Sequence, residues 1–321
     1  MTMTGDQQLP ENEQIILATA GYDHTIKLWQ THSAICQRTM QHSESQVNML
    51  EITPNRNLLA AASYQYIRMY DLGSNTPTAI ITYEGVSKNI TCVGFNNRGS
   101  WMYSGGEDGK VRIWDVERST NISHSYDVNA PITSVKLHPN QVELIIGDQN
   151  GTIHSWDMRT NAALQYIPDG DSMILDVAIN PTGTTLAAVN SKGKCYIWSL
   201  VGGEGDEPII LQPLKVFEPH TRHALKCKFS PNSSMFVTTS ADHSAKIFKT
   251  SDYSLVQELR HNDQRWVWDA AFSADSMYLF TGSSDNAARL WNVNTGKIER
   301  EYCGHQKAIT SIAFRDVVMA I

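Results

Sequence analysis

The feature that most constrains this chain is an apolar stretch, ending in one large aromatic residue, that recurs seven times. Its clearest copy is Gly105-Gly-Glu-Asp-Gly-Lys-Val-Arg-Ile-Trp-Asp115, where a tight acidic-glycine turn leads into an alternating strand pattern. Five copies close on Trp29, Trp114, Trp156, Trp198 and Trp291, and two on Tyr70 and Phe248. In chain order these anchors stand 41, 44, 42, 42, 50 and 43 residues apart, the repeat length of a four-stranded propeller blade. The spacing predicts an all-β, seven-bladed ring over residues 15–321, preceded by a flexible segment, residues 1–14.

Each unit also carries turn formers between its first two strands, such as Thr53-Pro-Asn-Arg56, Asn96-Asn-Arg-Gly99 and Asn180-Pro-Thr-Gly183. Counting first strands gives seven, but the earliest, 47–52, follows the first anchor. The N-terminal unit therefore lacks an inner strand. Residues 309–314 are expected to supply it by pairing with 15–20, which closes the ring and removes two exposed sheet edges. The longest interval holds Gly202-Gly-Glu-Gly-Asp-Glu-Pro208, expected to be a mobile surface loop; it lacks the Lys-Ser/Thr ending of a phosphate cradle.

Bulk properties exclude several functions. A formal net charge of -7 with no dense Lys/Arg run argues against nucleic-acid binding, which needs several cationic phosphate contacts. No apolar stretch approaches a membrane span, and the polar start is unlike a signal peptide, so a cytoplasmic protein without membrane insertion is expected. The five dispersed cysteines have no metal-binding spacing, and His220 with His223 has no third ligand, so neither metal nor cofactor is expected. There is no Gly-x-Ser-x-Gly elbow, and no acid, base or nucleophile set supports catalysis.

These repeats resemble WD40-repeat propellers. The resemblance implies that a His before the inner strand, a turn Asp, a Ser or Thr and the Trp form a hydrogen-bonded set in each blade. Candidates are His42, His220, His261 and His305 with Asp23, Asp108, Asp242 and Asp285. Tyr64 and Lys192 stand where a turn Asp would fall, and Val86, Val128 and Gly170 near expected His positions, so those blades should rely more on packing.

A closer similarity spans the chain. Ile16-Leu-Ala-Thr-Ala-Gly-Tyr-Asp-His24, Tyr66-Ile-Arg-Met-Tyr-Asp71, Trp101-Met-Tyr-Ser-Gly-Gly-Glu-Asp108 and Gly304-His-Gln-Lys307 resemble the G-protein-beta-like subunits of the TOR kinase complexes. This implies a non-catalytic scaffold that docks on the C-terminal lobe of the TOR kinase domain. It also implies accessory-subunit partners in TOR complexes 1 and 2, roles in growth control and cytoskeletal regulation, and recruitment with the complexes to endomembrane or lysosomal surfaces.

Alternating turns in a meander place the start of each inner strand on one rim with the turn between the second and third strands. Tyr22, Gln46, Asn89, Glu107, His223, Trp266 and Trp268 fall on that rim. Arg265-Trp266-Val-Trp268 stands out because corresponding positions hold Gln46 and Asn48, or Asn89 and Thr91. The repeat does not require these tryptophans, and they are the expected docking centre. The alternative is a reader of phosphorylated or other peptide motifs, which would favour a rim cluster of arginines; only Arg222 and Arg265 lie near. A heterotrimeric G-protein beta role would want a long N-terminal heptad helix, and the 14 residues before the first strand show none.

Overall fold

The computed structural model describes residues 15–42, 45–116, 122–203 and 207–316. The expected N-terminal segment 1–14 and the centre of the 202–208 insert, residues 204–206, lie outside them. Within the described residues every regular element is a strand, and seven four-stranded antiparallel sheets form the blades of a propeller. Blade 1 joins Ile309–Arg315 to Ile16–Gly21, Thr25–Trp29 and Cys36–Gln41. Blades 2 to 7 span 49–83, 90–127, 132–166, 174–217, 224–259 and 267–303. Closure has the expected register, with Leu17 opposite Phe314, Thr19 opposite Ile312 and Gly21 opposite Ile309.

Each turn between first and second strands places one residue in left-handed backbone: Arg56, Gly99, Gln141, Gly183, Ser233 and Ser276. In all but the last, proline or Asn precedes it, and Asn, Asp or Ser side chains cap the bend. In blade 5 the Asn180 side-chain oxygen accepts from the N–H groups of Thr184 and Thr185.

The aromatic anchors are buried, and they wedge neighbouring blades together. Trp29 meets Tyr302 of blade 7, Trp114 meets Tyr83 of blade 2, Trp156 stacks on Tyr126 of blade 3, and Phe248 meets Phe217 of blade 5. Trp198, Trp291 and Tyr70 share hydrophobic clusters with Tyr166, Leu259 and Met40 of the preceding blades. Each aromatic pair contributes roughly 0.5–1.5 kcal/mol beyond the area it buries. The anchor thus specifies the joint with the preceding blade as well as its own blade.

The polar sets differ from the expectation in an ordered way. Blade 1 has all four members: Trp29 Nε1 donates to Thr19 Oγ1 at 2.7 Å, His305 Nε2 lies 2.7 Å from the same hydroxyl, and His305 Nδ1 lies 2.8 Å from Asp23 Oδ2. Burial alone would raise the Asp23 carboxyl, but His305, the Gln306 N–H and the Thr25 hydroxyl hold it far below the usual carboxylate range. Blade 6 repeats this with His220, Asp242 and Thr238, and Phe248 replaces the indole.

Four residues need correction. Asp108 and Asp285 do not meet a His; Arg112 and Arg289, from the following strand, hold them at 2.6 and 2.5 Å. A guanidinium four residues on supplies the donors that Val86 and Gln264 cannot supply as an imidazole would. His261 stays outside any such set and accepts from the Asp263 N–H at 3.4 Å. His42 lies beside the Tyr70 hydroxyl at 2.9 Å, because its turn carries Tyr64 instead of Asp.

Blades 4 and 5, expected to rely more on packing, also hold polar sets of another make. Asp148 and Asn190, each at the end of a second strand, do the work of the missing turn Asp. Asp148 meets His154 at 2.9 Å, and the buried Asn190 amide donates to Ser172 and the Tyr196 hydroxyl.

Inner strands are further clasped across the ring. Asp269 of blade 7 takes Lys228 of blade 6 at 2.8 Å and the Ile312 N–H of blade 1 at 2.9 Å. Asp176 of blade 5 takes Ser134 of blade 4 at 2.6 Å and the Cys227 N–H of blade 6 at 3.0 Å. These bonds make one rigid disc with a rim for a partner to meet.

Candidate protein-docking rim

The rim is built where inner strands begin. In blade 7 the strand Val267–Phe272 is entered through Arg265 and Trp266, whose carbonyl accepts the Ser284 N–H at 2.9 Å and so fixes the entry against the neighbouring turn. Period-two alternation buries Val267 and leaves Trp266 and Trp268 on the open side. Trp266 is 37% exposed. Trp268 is half-buried and locked by its indole N–H, which donates to Ser284 Oγ at 2.7 Å. The two indoles sit 5.5 Å apart, and Tyr22 of blade 1 meets Trp268 edge-on at 6.2 Å.

A second cluster lies on blades 2 and 3. Asn48 Nδ2 donates to Asn89 Oδ1 at 2.6 Å and to the Ile90 carbonyl at 2.8 Å, and Asn89 Nδ2 donates to Glu107 Oε1 at 3.2 Å. Half-buried Gln46 precedes this chain, and exposed Tyr64 bridges to Asn89 through its backbone. Thr310 donates to the Ala20 and Val47 carbonyls, joining the two clusters into one arc over blades 7, 1, 2 and 3.

The structure brings Tyr22, Trp266 and Trp268 together, and separately Asn89 with Glu107. It places His223 apart, on blade 6, where its ring N–H donates to the Ser191 carbonyl of blade 5. The sequence reading missed Asn48 as the link between blades 2 and 3 within the second cluster. Its signal was present: Asn48 holds the same strand position as Trp268, Thr91, Thr133 and Thr310, the last three of which also bond to a backbone carbonyl.

An interlocked aromatic patch beside an ordered amide chain can recognise a protein surface, anchoring apolar side chains and pairing with exposed backbone. Among the described residues no group of His, Cys, Asp or Glu could hold a metal, and no helix is long and apolar enough to cross a membrane.

Comparison with known proteins decides the family. The WD domain, G-beta repeat model matches residues 77–115, 211–249 and 253–292. The mouse protein "Target of rapamycin complex subunit LST8" is 54% identical over 316 residues, covering 96% of this chain and 97% of its own length. The chain belongs to the LST8 family. The budding-yeast member, also named a target of rapamycin complex subunit, is 41% identical over 303 residues, 94% of this chain and 99% of its own. The fission-yeast member, "Target of rapamycin complex subunit wat1", is 40% identical over 311 residues, 96% of this chain and 98% of its own. The LST8 family match thus spans all seven blades, rim included.

Proposed function

We propose that this protein is a non-catalytic scaffold subunit of TOR complexes 1 and 2, binding the C-terminal lobe of the TOR kinase domain through the arc over blades 7, 1, 2 and 3. The carrying observation is the aromatic cluster of Trp266, Trp268 and Tyr22, which the propeller does not need and which stands open on the rim. Its family membership supports the assembly. The disc contributes rigidity: a pre-ordered rim loses little side-chain freedom on binding, so its contact energy goes into holding the kinase lobe. On this reading the subunit is cytoplasmic, follows the kinase to endomembrane surfaces, meets accessory subunits there, and supports growth control and cytoskeletal signalling.

The test replaces Trp266 by Ala and Trp268 by Phe and measures co-purification of the TOR kinase. A Trp at the centre of an interface contributes about 2–4 kcal/mol, so Trp266→Ala alone should weaken retention at least about thirtyfold. Normal retention by a variant with an unchanged melting temperature would remove the tryptophans from the site.

A further inference from the structure

The inner strands end, away from the docking rim, around a cavity of about 270 Å³ lined by Glu51, Lys136, Lys228 and Arg315 over a floor that includes Phe229 and Phe272. Glu51, Lys136 and Lys228 share one level of the ring, and Arg315 stands two residues further along its strand. Lys136 and Lys228 are the fifth residues of Ile132–Leu137 and Ala224–Phe229, and Glu51 pairs with Ala60 at the matching register. The equivalent positions of the other blades hold Gly94, Ala178, Ala271 and Ala313; the three alanines are small, and Gly94 makes room for the Tyr103 ring.

Charge is unbalanced at this level. Lys228 is matched by Asp269 at 2.8 Å, and Lys226, one level nearer the rim, by Asp176 at 3.4 Å. Among the described residues no carboxylate lies within ion-pair distance of Lys136 or Arg315; Arg315 donates to the Ile52 carbonyl at 3.4 Å. Glu51 is the remaining acid, so two cations face one carboxylate. Burial pushes the Glu51 carboxyl up against the opposing pull of Lys136, Lys228 and Arg315, so what charge it carries offsets the two cations only in part. A narrow cavity with low-dielectric aromatic walls strengthens that field.

We propose that this lower mouth of the channel binds a free oxyanion of the phosphate class, held by the Lys136 and Lys228 ammoniums and the Arg315 guanidinium. The guanidinium fork suits two oxygens of one tetrahedral anion, and the ammoniums supply point charges from blades 4 and 6. Such an anion ties blades 1, 4 and 6 across the ring axis, on the face opposite the kinase-docking arc.

The test titrates inorganic phosphate, then pyrophosphate, into the full-length protein at constant ionic strength in chloride, following binding heat and melting temperature. Saturable one-site binding with a dissociation constant below about 1 mM is expected. Lys136→Gln combined with Arg315→Gln should weaken it at least about tenfold, and Glu51→Gln should tighten it at least about threefold. Lys307→Gln, on the opposite rim, should change nothing, which separates this site from general surface binding. Absence of saturable binding overturns the proposal and points to an acidic protein segment as occupant; so does equal affinity in wild type and both cavity variants. Should the double variant fail to fold, Glu51→Gln decides alone: unchanged affinity overturns the site.

Discussion

Removal of the Asp269 carboxylate should reveal how much of the ring's stability sits in its polar clasps. Asp269 is buried on the inner strand of blade 7, with one oxygen on the Lys228 ammonium at 2.8 Å and the other accepting from the Ile312 N–H and the Ser311 hydroxyl. Ser311 Oγ in turn accepts the Leu50 N–H at 2.9 Å, so one carboxylate organises blades 6, 7, 1 and 2. Burial would raise its pKa, yet the Lys228 and Lys226 charges hold it below the usual range: the paired state is the favoured one. Asp269→Ala strands a poorly solvated ammonium and a buried N–H, a loss of about 3–5 kcal/mol. Asp269→Asn keeps an acceptor for Ile312 and should cost about 1–3 kcal/mol. Lys228→Met alone leaves the carboxylate with only neutral donors, and combined with Asp269→Asn it should lose at least about 1 kcal/mol less than the sum of the single changes. Urea unfolding followed by tryptophan fluorescence measures all four proteins. An Asp269→Ala variant within about 1 kcal/mol of wild type, or strict additivity in the double variant, would refute the clasp.

The His42 ring has its pKa lowered to about 4 by burial, then by the Arg68 and His24 charges. The unfolded chain therefore binds a proton that the fold refuses, so stability is full above about pH 6.5 and falls by up to about 3 kcal/mol as pH drops to about 4; His42→Gln should flatten that part of a pH–stability curve. Asp23 and Asp242, held far below the normal carboxylate range, should contribute their loss only at lower pH. Trp29→Phe keeps the packing against Tyr302 but leaves Thr19 without its indole donor, and should cost about 1–2 kcal/mol by thermal melting. Deletion of Ile309–Arg315 opens blade 1, removes the buried Ile309 and Ile312 from the core, and should abolish the cooperative melting transition; a truncated protein with an unchanged transition would contradict closure.

The ring was legible in the sequence because its signals are local: one aromatic per unit, turn residues at fixed offsets, and one strand too few at the start. The hydrogen-bonded sets were legible only in part. Asp23 with His305 and Asp242 with His220 follow the expected pattern, but Arg112 and Arg289 replace the His from within the same sheet, and Asp148 and Asn190 act from two positions before the expected turn residue. Anchor alignment cannot distinguish these solutions, since all satisfy the same donors and acceptors. The inter-blade clasps were missed because they join side chains from strands about 40 to 50 residues apart, and the lower cavity because its charged side chains lie farther apart still. Their trace was an acid at the third position of otherwise apolar strands, Asp176 and Asp269, facing a strand with two lysines, Lys226 and Lys228. On the rim, the tryptophans were visible as departures from the repeat, whereas Asn48 was hidden by looking like an ordinary member of it.

Ring closure also sets a schedule for the chain as it is made. The first three strands of blade 1 are complete at Gln41, but their inner partner begins at Ile309, 268 residues later. At about 5–20 residues per second, synthesis leaves the edge of Ile16–Gly21 unpaired for roughly 13 to 54 seconds while blades 2 to 7 emerge. The alternation of Leu17, Thr19 and Gly21 with Ala18 and Ala20 makes that waiting edge small and only modestly apolar. The closing strand Ile309–Arg315 is thus the one that commits the molecule, and any premature stop before it yields a chain with two open edges instead of a shortened propeller.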